Sequence, residues 1–280
     1  MPLADRGHTQ IFWEERGSGE PLLLVMGLGW PRQMWARHLP ALTERFRVIM
    51  FDNRGVGQTA TTLSQWTLSD MADDAVAVLE AAGVTRAHVY GASMGGGIAQ
   101  VMTIEHPQRV GALILGCTAT RAAKRHVPLW PVIRHLLPAL PAGRQARTVA
   151  LARALVYGPT TDPALIAEDL RLLDSLRRPA EGIRAQRRAV LDYEGSQLRL
   201  GSVRSPTLII HGSDDRLVPL RYGEELARLI PGADLVVLPG AGHMYITDAT
   251  QAADSAVLSF LAAHPLQCGN GRRRCAGPVP

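Results

Sequence analysis

The chain has 280 residues, 46% of them apolar, enough for one sizeable core and better suited to one large domain than to two small ones. No run of about 18 apolar residues occurs and the opening "MPLADRGHTQ" is polar, so neither a membrane span nor a signal peptide is read. Cys117, Cys268 and Cys275 are too few for a disulfide framework, and a cytoplasmic location is expected. The net charge is +5, and 15 basic against 7 acidic residues between Arg121 and Arg204 give that stretch +8, which leaves −3 elsewhere. Its arginines are spread through amphipathic stretches rather than clustered with aromatics, which argues against a nucleic-acid partner.

In chain order, "QIFWEERGSGEP" predicts an antiparallel hairpin that feeds a sheet, with "GSGE" as the turn. Six runs then read as buried strands: 21–27, 47–52, 88–93, 112–117, 206–212 and 235–240. Each is apolar throughout rather than alternating, as in a parallel sheet covered on both faces. Helices are predicted near 33–42, 69–82, 94–106, 221–230 and 248–263. The second begins at "TLSD", where Thr67 or Ser69 can cap, and ends at Gly83; the third stops before Pro107.

About 85 residues without a strand separate the fourth of these runs from the fifth, too many for a connecting loop. Leu, Ala and Arg at helical spacing, broken by prolines, predict a helical cap over residues 121–204. It divides a core of residues 1–120 and 205–263, and residues 264–280 have the composition of a disordered tail.

"HVYGASMGGGIAQ" (88–100) places Ser93 between a buried strand and a helix. A tight strand-to-helix turn crowds the residues two before and two after its centre, and Gly91 and Gly95 meet that demand. The hydroxyl then stands at the top of the sheet beside a helix N-terminus, where the Met94 N–H can donate to an oxyanion. A serine nucleophile needs a base. His243, in the Gly-rich "LPGAGHMYITDA" after the last strand, can reach back over the sheet. His211, His88 and His106 read as structural, and His126 and His135 as surface residues of the cap. The base needs an orienting carboxylate, and "HGSDDRLVP" offers Asp214 and Asp215. The order Ser93, Asp215, His243 is that of nucleophile, acid and base in the hydrolase sheet.

These stretches together resemble the α/β-hydrolase superfamily over about residues 8–263. "GASMGG" resembles its nucleophile elbow, "HGSDDRLVP" its HGxxDxxVP, "GAGHM" its G-x-G-H and "FDNRGVGQT" its D-x-R-G-x-G-x-S loop. The resemblance implies an α/β fold with a mostly parallel central sheet, helices on both faces and a helical cap after the sixth strand. It puts the acid on Asp215 and the first oxyanion donor on the Leu28 N–H. The loop that carries Leu28 departs from the family's H-G-x: it reads "MGLGW", with Met26 where histidine is common. Small esterases, enol-lactonases and perhydrolases with helical caps are the members it looks most like, and polyketide methylesterases share the departure.

The implied chemistry is acyl transfer from a small-molecule ester or lactone. The alternatives are a thioesterase acting on acyl-CoA or an acyl carrier protein, drawn by the basic cap, and a binding or cyclase member of the fold; C–C hydrolysis and perhydrolysis use the same triad. No cofactor, metal, nucleic acid or membrane is expected. "GLGWPR" fails as a dinucleotide fingerprint because Arg32 replaces the third glycine, and Asp70, Asp73 and Asp74 are ordinary for the first turns of a helix. Trp30, Leu129, Trp130, Leu136, Leu137 and Tyr157 are candidates to line the substrate pocket, packing among cap helices being the alternative.

Overall fold

The computed structural model describes residues 2–122 and 143–266, with no side-chain description for 143–146. Among the described residues the strands are β1 (Leu3–Asp5), β2 (Thr9–Arg16), β3 (Glu20–Val25), β4 (Phe46–Phe51), β5 (Ala60–Thr61), β6 (Ala87–Ala92), β7 (Val110–Gly116), β8 (Thr207–Gly212) and β9 (Asp234–Leu238). The sheet runs β1-β2-β4-β3-β6-β7-β8-β9, with the two-residue β5 paired to β2 off that path. From β4 to β9 every pairing is parallel, whereas β2 lies antiparallel to both β1 and β4.

The uniform apolarity of the strands has the anticipated cause. In β3, Leu23 and Val25 pack into one cluster and Leu22 and Leu24 into the other, and β4 divides Ile49 and Phe51 from Val48 and Met50 in the same way. Successive side chains leave opposite faces of a strand, so a sheet covered on both sides leaves no polar face to alternate with.

The hairpin expectation fails. β2 and β3 are consecutive in the chain, but β4 lies between them. The connection crosses the chain entering β4 so closely that a Cβ on Gly17 would stand 2.5 Å from the Phe46 oxygen, and one on Gly19 would stand 2.4 Å from the Arg45 oxygen. "GSGE" therefore makes a tight crossing, and the two glycines serve the approach of a third strand.

In the core, α2 (Leu68–Ala81) and α3 (Met94–Glu105) pack on one face and α1 (Leu39–Thr43) on the other; of the later helices, the one over Arg221–Leu229 joins the first face through Leu226, and the one over Thr250–Ala263 joins the second through Val257 and Leu261. Thr67 caps α2 through a reciprocal pair with Asp70. Between β7 and β8, where the cap is expected, run α4 (Gly143–Leu155), α5 (Pro163–Ser175) and α6 (Ala180–Asp192). On the continuous path of the sheet β7 is the sixth strand along the chain, since β5 lies off it. α7 (Arg221–Leu229), the short α8 (Tyr245–Asp248) and α9 (Thr250–Ala263) complete the fold. Past Ala263 the chain stays against the core through Leu266, whose N–H donates to Glu20 at 3.2 Å. Residues 267–280, with Cys268 and Cys275, lie outside the described residues. Among the described residues, no helix is long and apolar enough to cross a membrane.

Candidate active site

The chain order reverses at β3: β4 pairs on one side of it and β6 on the other. Loops leaving the carboxyl ends of two such strands diverge and open a crevice. The loops after β3, β6, β8 and β9 supply the residues singled out from sequence.

Ser93 sits at φ 56° and ψ −120°, a backbone conformation that costs a residue with a Cβ of order 1–3 kcal/mol. Its surroundings enforce it. A Cβ on Gly91 would stand 2.2 Å from the Gly95 oxygen, and one on Gly95 would stand 2.0 Å from the Val25 oxygen, so only glycine lets α3 start this close to β3 and β6. The Ser93 N–H donates to the Gly116 carbonyl at 2.8 Å, and its own carbonyl accepts the Thr118 hydroxyl at 2.7 Å. Cys117 (φ 43°) is the other non-glycine residue at positive φ among the described residues, and it lies directly beneath the site.

Three side chains from three loops meet. Ser93 Oγ lies 2.9 Å from His243 Nε2, and His243 Nδ1 lies 2.7 Å from Asp215 Oδ2. A carboxylate only accepts, so Nδ1 carries the proton and Nε2 is left to accept from the serine hydroxyl. The other Asp215 oxygen accepts the N–H groups of Leu217 (2.9 Å) and Val218 (2.7 Å), which fixes the carboxylate. Burial alone would raise the Asp215 carboxyl. The neighbouring His243 and the Val218 N–H outweigh it and hold the group below its ordinary value. Asp214 is bonded instead by its neighbour Ser213, so the two acids of the sequence motif separate cleanly.

Cys117 Sγ, Asp215 and His243 offer atoms within 4.8 Å of one another, a spacing that could suit a metal ion. Burial and the Asp215 charge push the Cys117 thiol well up, so it stays protonated, and both Asp215 oxygens already accept hydrogen bonds. That donor set suits a hydrogen-bonded carboxylate better than a cation.

The loop after β3 places Gly27 against the serine: a Cβ there would stand 3.2 Å from Ser93 Cβ. Leu28 follows it in the cavity wall, which Met94, next to the serine in the chain, also lines. The absence of the family's histidine at Met26 raises the question of what anchors this loop. Three polar contacts do. Asn53 Nδ2 donates to the Met26 carbonyl at 2.8 Å, Gln186 Oε1 accepts the Gly29 N–H at 2.7 Å, and Arg178 Nε donates to the Gly29 carbonyl at 2.5 Å. Met26 itself is buried among apolar neighbours. Nothing in the sequence motifs assigns a role to Gln186 or Arg178. No local pattern identifies them, because Gln186 and Arg178 meet Gly29 across about 150 residues of chain.

The cavity above Ser93 measures about 560 Å³ and is walled mainly by apolar side chains, among them Trp30, Leu68, Val156, Val190 and Ile246. Trp30 stands in this wall. Tyr157 does not: it is almost fully buried, its hydroxyl donates to Asp169 at 3.0 Å, and its neighbour Val156 forms the wall. A phenol needs a hydrogen-bond partner when buried, and Asp169 supplies one on the far side. Leu129, Trp130, Leu136 and Leu137 lie outside the described residues.

Residues 20–250 match the family model described as alpha/beta hydrolase fold. A Caulobacter protein named "Putative carbamate hydrolase RutD" is 31% identical over 87% of this chain and 91% of its own length. A hydrolase structure from Pseudomonas aeruginosa is similar at 31% identity and a TM-score of 0.76, covering 92% of this chain and 97% of that one. A thermophilic esterase from Thermogutta terrifontis is similar at 25% identity and a TM-score of 0.79, covering 95% and 98%. With its switch-point serine, its sheet and these likenesses, the chain belongs to the α/β-hydrolase fold family.

Proposed function

We propose that this protein is a serine hydrolase that cleaves a carboxylic ester or lactone through an acyl-enzyme on Ser93. The observation that carries the reading is the continuous chain of contacts from Ser93 Oγ through His243 to Asp215, at 2.9 and 2.7 Å. In this reading Ser93 Oγ attacks the carbonyl carbon while His243 Nε2 takes its proton. Asp215 stabilises the imidazolium that forms. The N–H groups of Leu28 and Met94 receive the oxyanion, and neither donates to another group among the described residues. His243 then protonates the departing alcohol oxygen, and the C–O bond breaks. Water, deprotonated by the same imidazole, attacks the acyl-enzyme and releases the acid. The apolar cavity suits an uncharged reacting centre, and the esterase and carbamate hydrolase names among the similar proteins belong to carbonyl chemistry of this kind.

Treatment with a fluorophosphonate probe tests it. Wild-type protein should be labelled on Ser93, and Ser93→Ala and His243→Ala should not. Folded wild-type protein that resists the probe and turns over no p-nitrophenyl ester would overturn the reading.

A further inference from the structure

Among the described residues, two side chains in the cavity wall carry formal charge outside the catalytic set, and both are arginines: Arg121, just past β7, and Arg187, on α6. Neither makes an ion pair among the described residues, whereas other arginines at or near the cap do: Arg37 with Glu168, Arg188 with Asp192, Arg199 with Glu105. No carboxylate side chain exists anywhere in the sequence between Glu105 and Asp162, so the chain that follows Arg121 brings no counter-charge of its own. Arg121 is also held in place from below. Buried Ser196 donates its N–H to the Thr120 carbonyl at 2.8 Å and its hydroxyl to Gln100 Oε1 at 2.6 Å, and buried Gln100 Nε2 in turn donates to the Ala119 carbonyl at 3.1 Å. An uncompensated positive rim above an apolar floor concentrates field in the cleft and favours a ligand with an apolar body and an anionic end.

We infer that the substrate bears an oxyanion group, a carboxylate or a phosphate, away from its scissile carbonyl, and that Arg121 and Arg187 receive it. The inference rests on the hydrolase reading above and names the substrate class of that same site. The anion would sit at the rim while the carbonyl lies at Ser93. Selectivity would therefore appear as a ratio between charged and neutral esters of equal length.

The test compares kcat/KM, by titrating released acid, for methyl hexanoate, monomethyl adipate and methyl 5-(phosphonooxy)pentanoate. A second pair, butyl hexanoate and 4-carboxybutyl hexanoate, moves the charge to the alcohol side. Wild-type protein should prefer a charged ester in at least one series by about tenfold or more, the scale of one charge-assisted hydrogen bond. The carboxylate and phosphate arms show which anion is meant. The preference should shrink with added salt. It should fall toward one in Arg121→Gln and Arg187→Gln, and persist in part in the lysine variants. Damage to the fold alone would lower both rates together and leave the ratio standing. Protection of Ser93 from the fluorophosphonate by adipate over hexanoate reads the same selectivity without turnover. Equal or reversed preference in both series overturns the inference while labelling still upholds the hydrolase. So does a preference untouched by both glutamine variants. Loss of labelling in the wild type removes the hydrolase reading and this inference with it.

Discussion

The side-chain amide of Gln186, fully buried on α6, accepts the N–H of Gly29 at 2.7 Å and donates to the Arg54 carbonyl at 2.8 Å. A cap residue thus ties together two loops of the core, one of which carries the proposed oxyanion donor. Gln186→Met keeps the volume and removes both bonds. We expect kcat to drop by about 10–100-fold with a smaller change in KM, since removing a preorganised donor outright costs on the order of 100-fold or more. Asn53→Leu should behave alike through the Met26 carbonyl. Steady-state kinetics on a good ester decides it, and an unchanged kcat in both variants would show that the loop holds its position without them.

The strain at Ser93 separates stability from activity. Ser93→Ala and Ser93→Gly should both lose about 10⁴-fold or more of kcat, because the proposed nucleophile is gone. They should differ in stability. Alanine keeps a Cβ at φ 56°, whereas glycine accepts that angle freely, so the glycine variant should be the more stable by about 1 kcal/mol. Urea denaturation of the two variants measures the difference, and equal midpoints would mean that the elbow is relaxed. Asp215→Asn should leave the fold intact and lower kcat by about 10⁴, since an amide can stabilise the wrong imidazole tautomer.

Two buried histidines set a pH dependence of stability. Burial holds both His88 and His211 below the ordinary 6.5. The hydrogen bonds agree with neutral rings: His88 Nδ1 accepts the Ala112 N–H at 3.1 Å, and His211 Nδ1 has no partner among the described residues while Nε2 donates to the Val218 carbonyl at 2.8 Å. In the unfolded chain these rings bind a proton near 6.5, whereas the folded ones resist it. The unfolded state therefore holds more protons below 6.5, and stability falls as the pH drops through that value. Asp215 acts in a lower window, its contribution being present above 3.8 and lost as the pH falls beneath it. Melting temperatures at pH 7.5, 6.0 and 5.0 should decline, with a flatter profile in His211→Gln. Profiles identical in slope would sink this assignment.

Cap and core also meet at two glycines. A Cβ on Gly182 would stand 2.0 Å from the Gly55 carbonyl oxygen, and the Gly57 N–H donates to the Arg177 carbonyl at 2.7 Å. Gly182→Ala should cost about 1–3 kcal/mol by forcing the two backbones apart. A shifted denaturant midpoint, together with faster proteolysis within 143–200, would report it. A stable variant with wild-type kinetics would mean that α6 can slide on the core without consequence.

What the sequence could disclose followed the range of the interactions. Strand runs such as 21–27 were legible because burial on both faces writes itself into consecutive residues, and the elbow because its crowding falls within five positions. The place of β4 between β2 and β3 was not legible: pairing partners 26 residues apart (β3 with β4) and 32 to 38 apart (β2 with β4) leave no local mark, and "GSGE" fits a hairpin turn as well as a crossing. An aromatic at Tyr157 fits either pocket lining or packing among helices, and Asp169, twelve residues on, captures its hydroxyl in the second way. The contacts that anchor the loop at Met26 were missed for the same reason as β4.

The bond between Gln186 and Gly29 bears on how such a protein can diversify. A foreign cap spliced in between β7 and β8 would arrive without an amide or a guanidinium aimed at Gly29. The scaffold beneath would keep its serine, its imidazole and its carboxylate, yet lose two of the three anchors of the strip beside them. In the proposed reading recognition and turnover share these atoms, and a modular exchange of the 121–204 segment would have to transplant residues 178 and 186 with their partners in register.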